Sequence, residues 1–151
     1  MFAASAPVAE REARAVLASM PGVRPVTIDT VLAELGDWRR FRSANAVASF
    51  AGLDPGVRSS DGKRHDLKLT KAGSPLLRWI MIQLAHRMKR TTARWRTMFE
   101  QMAKRTGKKK ATCAVARRLL LVIYAMLRDG QAYQMPACSN QQHNNLAATS
   151  K

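Results

Sequence analysis

Three segments in the second half of this chain repeat apolar residues at the spacing of an α-helix. The first starts at Ser74-Pro75, where a capping residue precedes a proline that suits a first helical turn. The second spans residues 92–104 and the third residues 110–127. Together these segments predict a three-helix C-terminal bundle within about residues 74–130. Its predicted core consists of Leu76, Leu77, Ile80, Met81, Leu84, Met88, Trp95, Met98, Phe99, Met102, Val115, Leu119, Val122, Ile123 and Met126.

Helical spacing also marks the first third of the chain. Residues 7–19 predict a helix with a mostly polar face, and residues 27–35 predict a second helix. Ser43 is placed to cap a third helix that ends at Gly52. With the C-terminal segments, these patterns indicate a mainly α fold class.

The turn between the first two helices has a specific form. The segment Pro21-Gly22-Val23-Arg24-Pro25 cannot continue a helix. A glycine between apolar residues at such a turn is typical of a helix-hairpin-helix module, here about residues 17–36. The glycine lets the turn approach a phosphate, and the amides at the start of the second helix bind it. Gly22, Val23 and Arg24 are therefore candidate nucleic-acid contacts; the alternative is an ordinary corner between helices.

A polar and basic segment then covers about residues 54–73. We predict a loop or an irregular hairpin around Asp61-Gly62. Cations near a serine can stabilise the charge that develops when its hydroxyl attacks a phosphodiester. The composition is equally that of a solvated turn. The cations are Arg58, Lys63, Arg64, Lys68 and Lys71, and the hydroxyls are Ser59 and Ser60.

A second basic cluster lies at residues 104–110, with five cations in seven residues. We predict a loop between two helices whose Lys108, Lys109 and Lys110 hold a nucleic-acid backbone. The alternative is a solvated interhelical turn. Arg87, Lys89, Arg90, Arg94 and Arg96 would extend this basic surface.

The charge of the whole chain favours a phosphate-bearing partner. It has 26 Lys and Arg against 10 Asp and Glu, a formal net charge of +16 in 151 residues. Its longest apolar run is far shorter than the roughly 20 residues of a membrane-spanning helix. The N-terminus lacks the basic region of a signal sequence. We therefore expect a cytoplasmic protein that binds nucleic acid and no membrane.

Several kinds of chemistry find no support in the sequence. Cys113 and Cys138 lack metal-ligand spacing, and no carboxylate pair is spaced as in a two-metal site, so no metal or cofactor is expected in this chain. No phosphate-binding glycine motif of the nucleotide-binding folds is present. Among the histidines, only His65 is placed to act as a base for the basic segment.

Short motifs along the chain occur in the order found in one family. The sequence resembles the C-terminal transposase domain of the insertion sequence 110/116/902 family from about Leu17 to Tyr133. The motifs are Met20-Pro21-Gly22-Val23, Val31-Leu32-Ala33-Glu34-Leu35-Gly36-Asp37, Arg40-Phe41, Ala51-Gly52-Leu53-Asp54-Pro55, Ser59-Ser60-Asp61-Gly62-Lys63, Thr70-Lys71-Ala72-Gly73, Arg117-Arg118-Leu119-Leu120 and Tyr124-Ala125-Met126-Leu127-Arg128-Asp129-Gly130.

The resemblance implies a two-part enzyme for DNA transposition and site-specific recombination. An N-terminal RuvC-like domain would supply an acidic site for Mg²⁺, and a domain like this one would supply a nucleophilic serine. Ser60 matches that serine best, with Ser59 as the fallback. Some members of the family use a guide RNA. The implied partners are DNA, a guide RNA, and a full-length transposase or further copies of this chain.

The sequence also departs from the family pattern. Asp61 stands where a glycine is common, and Arg24 replaces the usual second glycine of the hairpin. Without an acidic domain, the isolated chain is expected to be inactive. The alternative function is a stand-alone helix-hairpin-helix protein that binds nucleic acid without catalysis. We expect an N-terminal linker helix in residues 1–16, the transposase domain in 17–133, and a disordered tail in 134–151.

Overall fold

The computed structural model of the chain describes residues 8–54, 56–60, 63–67 and 73–134, with side chains for 9–54 and 73–134. Most of these residues are helical, which confirms the mainly α fold class. The elements are α1 (Val8–Ala18), α2 (Pro25–Leu35), a 3₁₀ turn (Trp38–Arg40), α3 (Ala44–Phe50), β1 (Gly56–Ser60), β2 (Lys63–Leu67), α4 (Pro75–Thr91), α5 (Ala93–Thr106) and α6 (Lys108–Asp129).

Two of the predicted helix starts are confirmed by their capping hydrogen bonds. The Ser43 hydroxyl accepts from the amide of Ala46 at 3.2 Å, and the Ser74 hydroxyl accepts from the amide of Leu77 at 3.1 Å. Each serine satisfies an amide that has no partner within its own helix. Pro75 follows Ser74 at the first helical position, where a missing N–H has no consequence.

The long helix α6 lies at the centre of the fold. It packs against α5, α4, α3 and α1, and α4 and α5 also pack on each other. Leu119 and Leu120 on α6, Met81 on α4 and Trp95 on α5 are almost completely buried. Burying a side chain of this size stabilises the folded state by about 1.5–3 kcal/mol. The predicted three-helix bundle is therefore present, and it is continued by α1 and α3 into one core.

Some of the predicted core side chains are not buried. Leu76 is 49% exposed, beside Trp79, which is 56% exposed. Leu76 precedes the inward-facing Leu77, so a turn of about 100° per residue directs it away from the core. Met98, Phe99, Met102 and Val122 are only partly buried against the core. For α5 the reason is that, among the described helices, it packs mainly on α4 and α6.

The basic segment contains a regular antiparallel hairpin rather than a loop or an irregular hairpin. Strands β1 and β2 pair over five residues each, from Gly56 opposite Leu67 to Ser60 opposite Lys63. A connection of two residues is the commonest hairpin length. Those two residues, together with Lys68, Lys71 and the predicted tail beyond residue 134, lie outside the described residues.

The predicted loop at residues 104–110 is also wrong. Helix α5 continues to Thr106 and α6 begins at Lys108, so Gly107 alone separates them. Lysine and arginine are good helix formers, and both helices extend to the glycine. Gly107 has φ +87°, a conformation that breaks the helix and that glycine adopts without strain. The cluster is therefore formed by two helix ends.

Candidate nucleic-acid interface

The turn between α1 and α2 packs on the C-terminal end of α4. A Cβ added to Gly22 would lie 3.1 Å from Met88 Sδ and 3.2 Å from Thr91 Oγ1, and Gly22 itself has φ +84°. The Arg87 guanidinium donates to the Gly22 carbonyl at 3.4 Å. The side of Gly22 that lacks a Cβ therefore faces α4. Sequence reasoning attributed this glycine to phosphate approach, whereas the structure also gives it a packing role.

Helix α2 begins directly after this turn. Arg24 is its N-cap in an extended conformation, makes no capping hydrogen bond with its side chain, and is exposed. Val23 packs partly buried against the core. The first amides of α2 thus receive no side-chain cap, and they carry the positive end of the helix dipole. An interaction of Gly22, Val23 and Arg24 with nucleic acid remains a prediction.

Several basic side chains lie at the corner between α4 and α5. The Arg96 guanidinium donates to the carbonyls of Lys89 at 3.1 Å and Arg90 at 2.8 Å, which caps the C-terminal end of α4. The Lys89 ammonium lies 4.2 Å from the ring centroid of Phe99. These contacts fix the corner beside the α1–α2 turn, because Arg87 contacts that turn directly.

A groove between α4, α5 and α6 brings Lys89 together with the second basic cluster. Lys89, Lys108 and Lys109 line it, and its volume is about 550 Å³. We call it the lysine groove. Lys108, Lys109 and Lys110 are exposed in the first turn of α6, whose N-cap Gly107 offers no side chain. The α4–α5 corner and the start of α6 therefore meet at Lys89, whereas the α1–α2 turn contacts α4 through Arg87, Met88 and Thr91.

Two titratable side chains also line the lysine groove. Burial lowers the pKa of His86, and the charges of Lys89 and Arg90 lower it further, which keeps the imidazole neutral near pH 7. Burial raises the pKa of the Cys113 thiol, although the charge of Arg78 acts in the opposite direction. Cys113 is half-buried.

Positive charge is concentrated in the C-terminal helices. Helices α4 to α6 contain fourteen of the chain's 26 Lys and Arg but only two of its 10 Asp and Glu, Glu100 and Asp129. Asp129 is paired with Arg128 at 3.0 Å. An excess of this size in one part of a domain creates a field that attracts polyanions.

The described residues on either side of the serine-bearing segment, Asp54 and Gly73-Ser74, contact the core. Before the hairpin, the Asp54 carboxylate accepts from the Ser49 hydroxyl and from the Arg117 guanidinium of α6. Arg117 also donates to Asn45 Oδ1 at 3.0 Å. The residue next to the hairpin is thus tied both to α3 and to the middle of the central helix.

After the hairpin, the chain returns to the same place on α3. The amide of Ser74 donates to the Phe50 carbonyl at 2.8 Å, and the Ser74 hydroxyl donates to Glu34 Oε2 at 2.5 Å. Gly73 has φ +122°, and a Cβ there would lie 2.3 Å from the Phe50 oxygen. The segment at 55–72 therefore begins and ends on one short stretch, the C-terminal end of α3.

Within the hairpin, the backbone places the candidate nucleophile at the end of a strand. Ser60 is the last residue of β1 and is paired with Lys63, while Ser59 is paired with Arg64 and Arg58 with His65. The pairing of β1 with β2 thus places these predicted residues next to one another. Sequence reasoning missed the attachment through Arg117, which lies 63 positions from Asp54 and has no local signal.

Among the described residues, no group of three or more His, Cys, Asp or Glu side chains could hold a metal ion. Asp54 and Glu34 are engaged by hydroxyls and by arginine, and Asp29 and Glu10 both accept from Arg14. The side chains present in this part of the chain do not fit the Mg²⁺ site that the resemblance implies for an acidic domain. None of the described helices is long and apolar enough to cross a membrane.

Fold and charge together define a basic, mainly helical domain that carries a small two-stranded hairpin. The sequence pattern of the Transposase IS116/IS110/IS902 family matches residues 14–100. This match covers more than half of the chain, so the protein belongs to that family.

Curated relatives agree with this assignment. The chain is similar to an insertion element IS110 protein of Streptomyces coelicolor, 35% identical over 81% of this chain and 31% of the relative. It is also similar to the transposase for insertion sequence element IS1111A of Coxiella burnetii, 29% identical over 79% and 34%. The pilin gene-inverting protein of Moraxella bovis is 29% identical over 78% and 38%. The chain spans about a third of the length of these relatives.

Proposed function

We propose that this chain is a DNA-binding part of a transposase, and that it holds DNA at the α1–α2 turn, the α4–α5 corner and the start of α6. The observation that carries the proposal is the packing of Gly22 on Arg87 and Thr91, which joins the turn to the basic helices. Two relatives, named as a transposase and a gene-inverting protein, support DNA as the partner.

The placement of the α6 lysines supports an anionic ligand. Lys108, Lys109 and Lys110 occupy the positive end of a helix of 22 residues. Cations at that end oppose the helix dipole by about 0.3–1 kcal/mol each at low ionic strength. A bound phosphate backbone is attracted both by the lysines and by the positive end of the helix, so it offsets this cost. The sequence is therefore better suited to the bound state than to the stability of the free domain.

Ser60 is the proposed nucleophile within the complete enzyme. Its hydroxyl oxygen would attack phosphorus, forming the Ser60 Oγ–P bond and breaking the P–O3′ bond. The serine proton is lost to water or a base, and the leaving strand takes up a proton as a 3′ hydroxyl. Two features support the assignment: Ser60 ends β1 opposite Lys63, and Asp54 and Ser74, which flank the segment, both contact the core. Arg58, Lys63, Arg64, Lys68 and Lys71 are the proposed phosphate contacts of this segment.

A second candidate function is binding without chemistry. The concentration of basic residues in α4 to α6 supports binding whether or not catalysis follows. The two functions differ at Ser60: in a pure binding protein, Ser60→Ala changes nothing in any assay. In a complete enzyme containing this domain, the same substitution abolishes strand cleavage but leaves DNA binding intact.

The test is a salt series with labelled duplex DNA and structured RNA. We expect the dissociation constant for duplex DNA to rise steeply with salt, and the slope to fall by about 0.9 for each lysine that contacts a phosphate. Neutralising Lys108, Lys109 and Lys110 to alanine should weaken binding, whereas Ser60→Ala should not. The matched control neutralises three exposed arginines elsewhere, Arg11, Arg39 and Arg42. No binding at low salt, or equal losses in both triple variants, would contradict the proposed interface.

A further inference from the structure

The lysine groove combines two surfaces that a duplex-binding patch does not need. One surface is cationic and consists of Lys89, Lys108 and Lys109. The other is apolar and is formed mainly by Ile82, Phe99 and the Cys113 side chain. None of the described residues that line the groove is acidic. A partner that matches both surfaces must be an anion with a flat or apolar part.

The size of the groove limits that partner further. Its volume of about 550 Å³ lies in the range of sites that enclose a small organic molecule, roughly 300–1,000 Å³. A paired DNA backbone presents phosphates and sugars but keeps its bases stacked inside the helix. An unpaired nucleotide presents a base next to its phosphate, and bases bind to aromatic and apolar side chains irrespective of their sequence.

From this match we propose that the lysine groove holds one unpaired nucleotide of a single DNA strand, with its base on the apolar surface and its phosphate on the lysines. The proposal rests on the proposed DNA-binding function and adds unpaired DNA to duplex DNA as a ligand of this chain. His86 borders the groove as a neutral imidazole, so it can offer a hydrogen bond to a base without adding charge.

The contacts around Phe99 agree with this assignment. Lys89 already lies over the Phe99 ring, 4.2 Å from its centroid. The lysine is therefore held at the boundary between the two surfaces, where a phosphate attached to a bound base would be located. The Thr112 hydroxyl donates a hydrogen bond to the Lys108 carbonyl at 2.9 Å. The lysines are therefore the main polar groups left to face a ligand.

The test uses Cys113 as a reporter inside the groove. The chain has two cysteines, so Cys138→Ser makes Cys113 the only thiol. Binding of a fluorescent 20-nucleotide single strand, of its blunt duplex and of the matching RNA is measured first by anisotropy. Alkylation of Cys113 is then followed with each ligand at the same saturation. We expect the DNA strand to slow alkylation roughly tenfold and the duplex less than twofold.

The outcomes separate this proposal from the proposed function. If strand and duplex both bind but neither slows alkylation, the groove assignment is overturned and the DNA-binding function stands. If neither binds at low salt, the DNA-binding function fails as well. If RNA slows the alkylation of Cys113 and the DNA strand does not, the proposal that the groove binds DNA is overturned.

A second measurement fills the groove chemically. Protein alkylated at Cys113 with N-ethylmaleimide, and shown by circular dichroism to keep its helical content, should bind the single strand roughly tenfold more weakly. Its affinity for the duplex should be unchanged, because the α1–α2 turn and the exposed lysines are not modified. Equal affinity of the blocked and unblocked protein for the strand would overturn the proposal.

Discussion

Arg117 Nη2 lies 3.2 Å from Asp54 Oδ1, which connects the middle of the central helix to a residue two positions before the serine-bearing hairpin. Both side chains are about two-thirds buried, with relative exposures of 28% and 31%. The same guanidinium donates to Asn45 on α3. One side chain therefore ties Asp54, which precedes the hairpin, to both helices.

The first prediction concerns this ion pair. Arg117→Ala should lower the free energy of unfolding by about 1–3 kcal/mol, because it leaves the partly buried Asp54 carboxylate without its charged donor. Arg117→Lys should restore part of the loss, since an ammonium supplies charge but cannot repeat the paired contacts. Thermal unfolding followed by circular dichroism measures both.

The neighbouring Arg118 provides the control for this prediction. Arg118 is exposed, and its guanidinium donates to Met98 Sδ at 3.7 Å. Arg118→Ala should change stability by less than about 0.5 kcal/mol. Similar losses for the two alanine variants would show that the Asp54 contact has no special role.

The second prediction concerns the other end of the hairpin. Gly73→Ala should destabilise the fold by about 3 kcal/mol or more, because its Cβ would meet the Phe50 carbonyl oxygen in a strained conformation. Gly130→Ala is the control: it also has positive φ, but nothing lies within 4 Å of its Cβ. It should cost only about 1–2 kcal/mol. Urea unfolding gives both values, and equal losses would contradict the steric argument.

The sequence predicts the helices well because their signals are local. Ser43 and Ser74 act on amides three residues away, and the apolar spacing of α4 and α6 repeats within each turn. Predictions fail where the outcome depends on distant elements. The degree of burial of Phe99 depends on how many helices pack on α5, and the packing role of Gly22 depends on Met88 and Thr91.

The candidate site also combines features that are local in the sequence with others that depend on distant elements. Its residue types, a serine pair and clusters of cations, are visible in the sequence. Their arrangement is not, because Lys89 and Lys109 meet in one groove only when α4 and α6 pack together. The prediction of a loop around Gly107 is wrong for a related reason. A run of polar cations suggests a loop, but lysine and arginine also have a high helix propensity, and here they form two helix ends.

The third prediction concerns pH. Burial raises the pKa of Cys113 above the usual thiol value of about 8.5, so less thiolate is present at pH 8 than in an unfolded chain. In the Cys138→Ser protein, alkylation by iodoacetamide at pH 8 should be slower in the native state than in guanidinium chloride. The native rate should keep rising above pH 9. By linkage, this thiol lowers stability only as pH rises above the unfolded pKa. Equal native and denatured rates would contradict the burial argument.

The last prediction separates stability from binding at the start of α6. Lys109→Glu replaces a cation at the positive end of the helix dipole with an anion, so it should raise the free energy of unfolding by about 0.5–1 kcal/mol while weakening duplex binding. Lys104→Glu makes the same change of charge in the last turn of α5, at a negative helix end, and should lower stability. Because both variants reduce the net charge equally, a difference in sign between their unfolding energies isolates the dipole. A loss of stability in Lys109→Glu would mean that the α6 lysines are held by contacts within the protein, and not kept for an external phosphate.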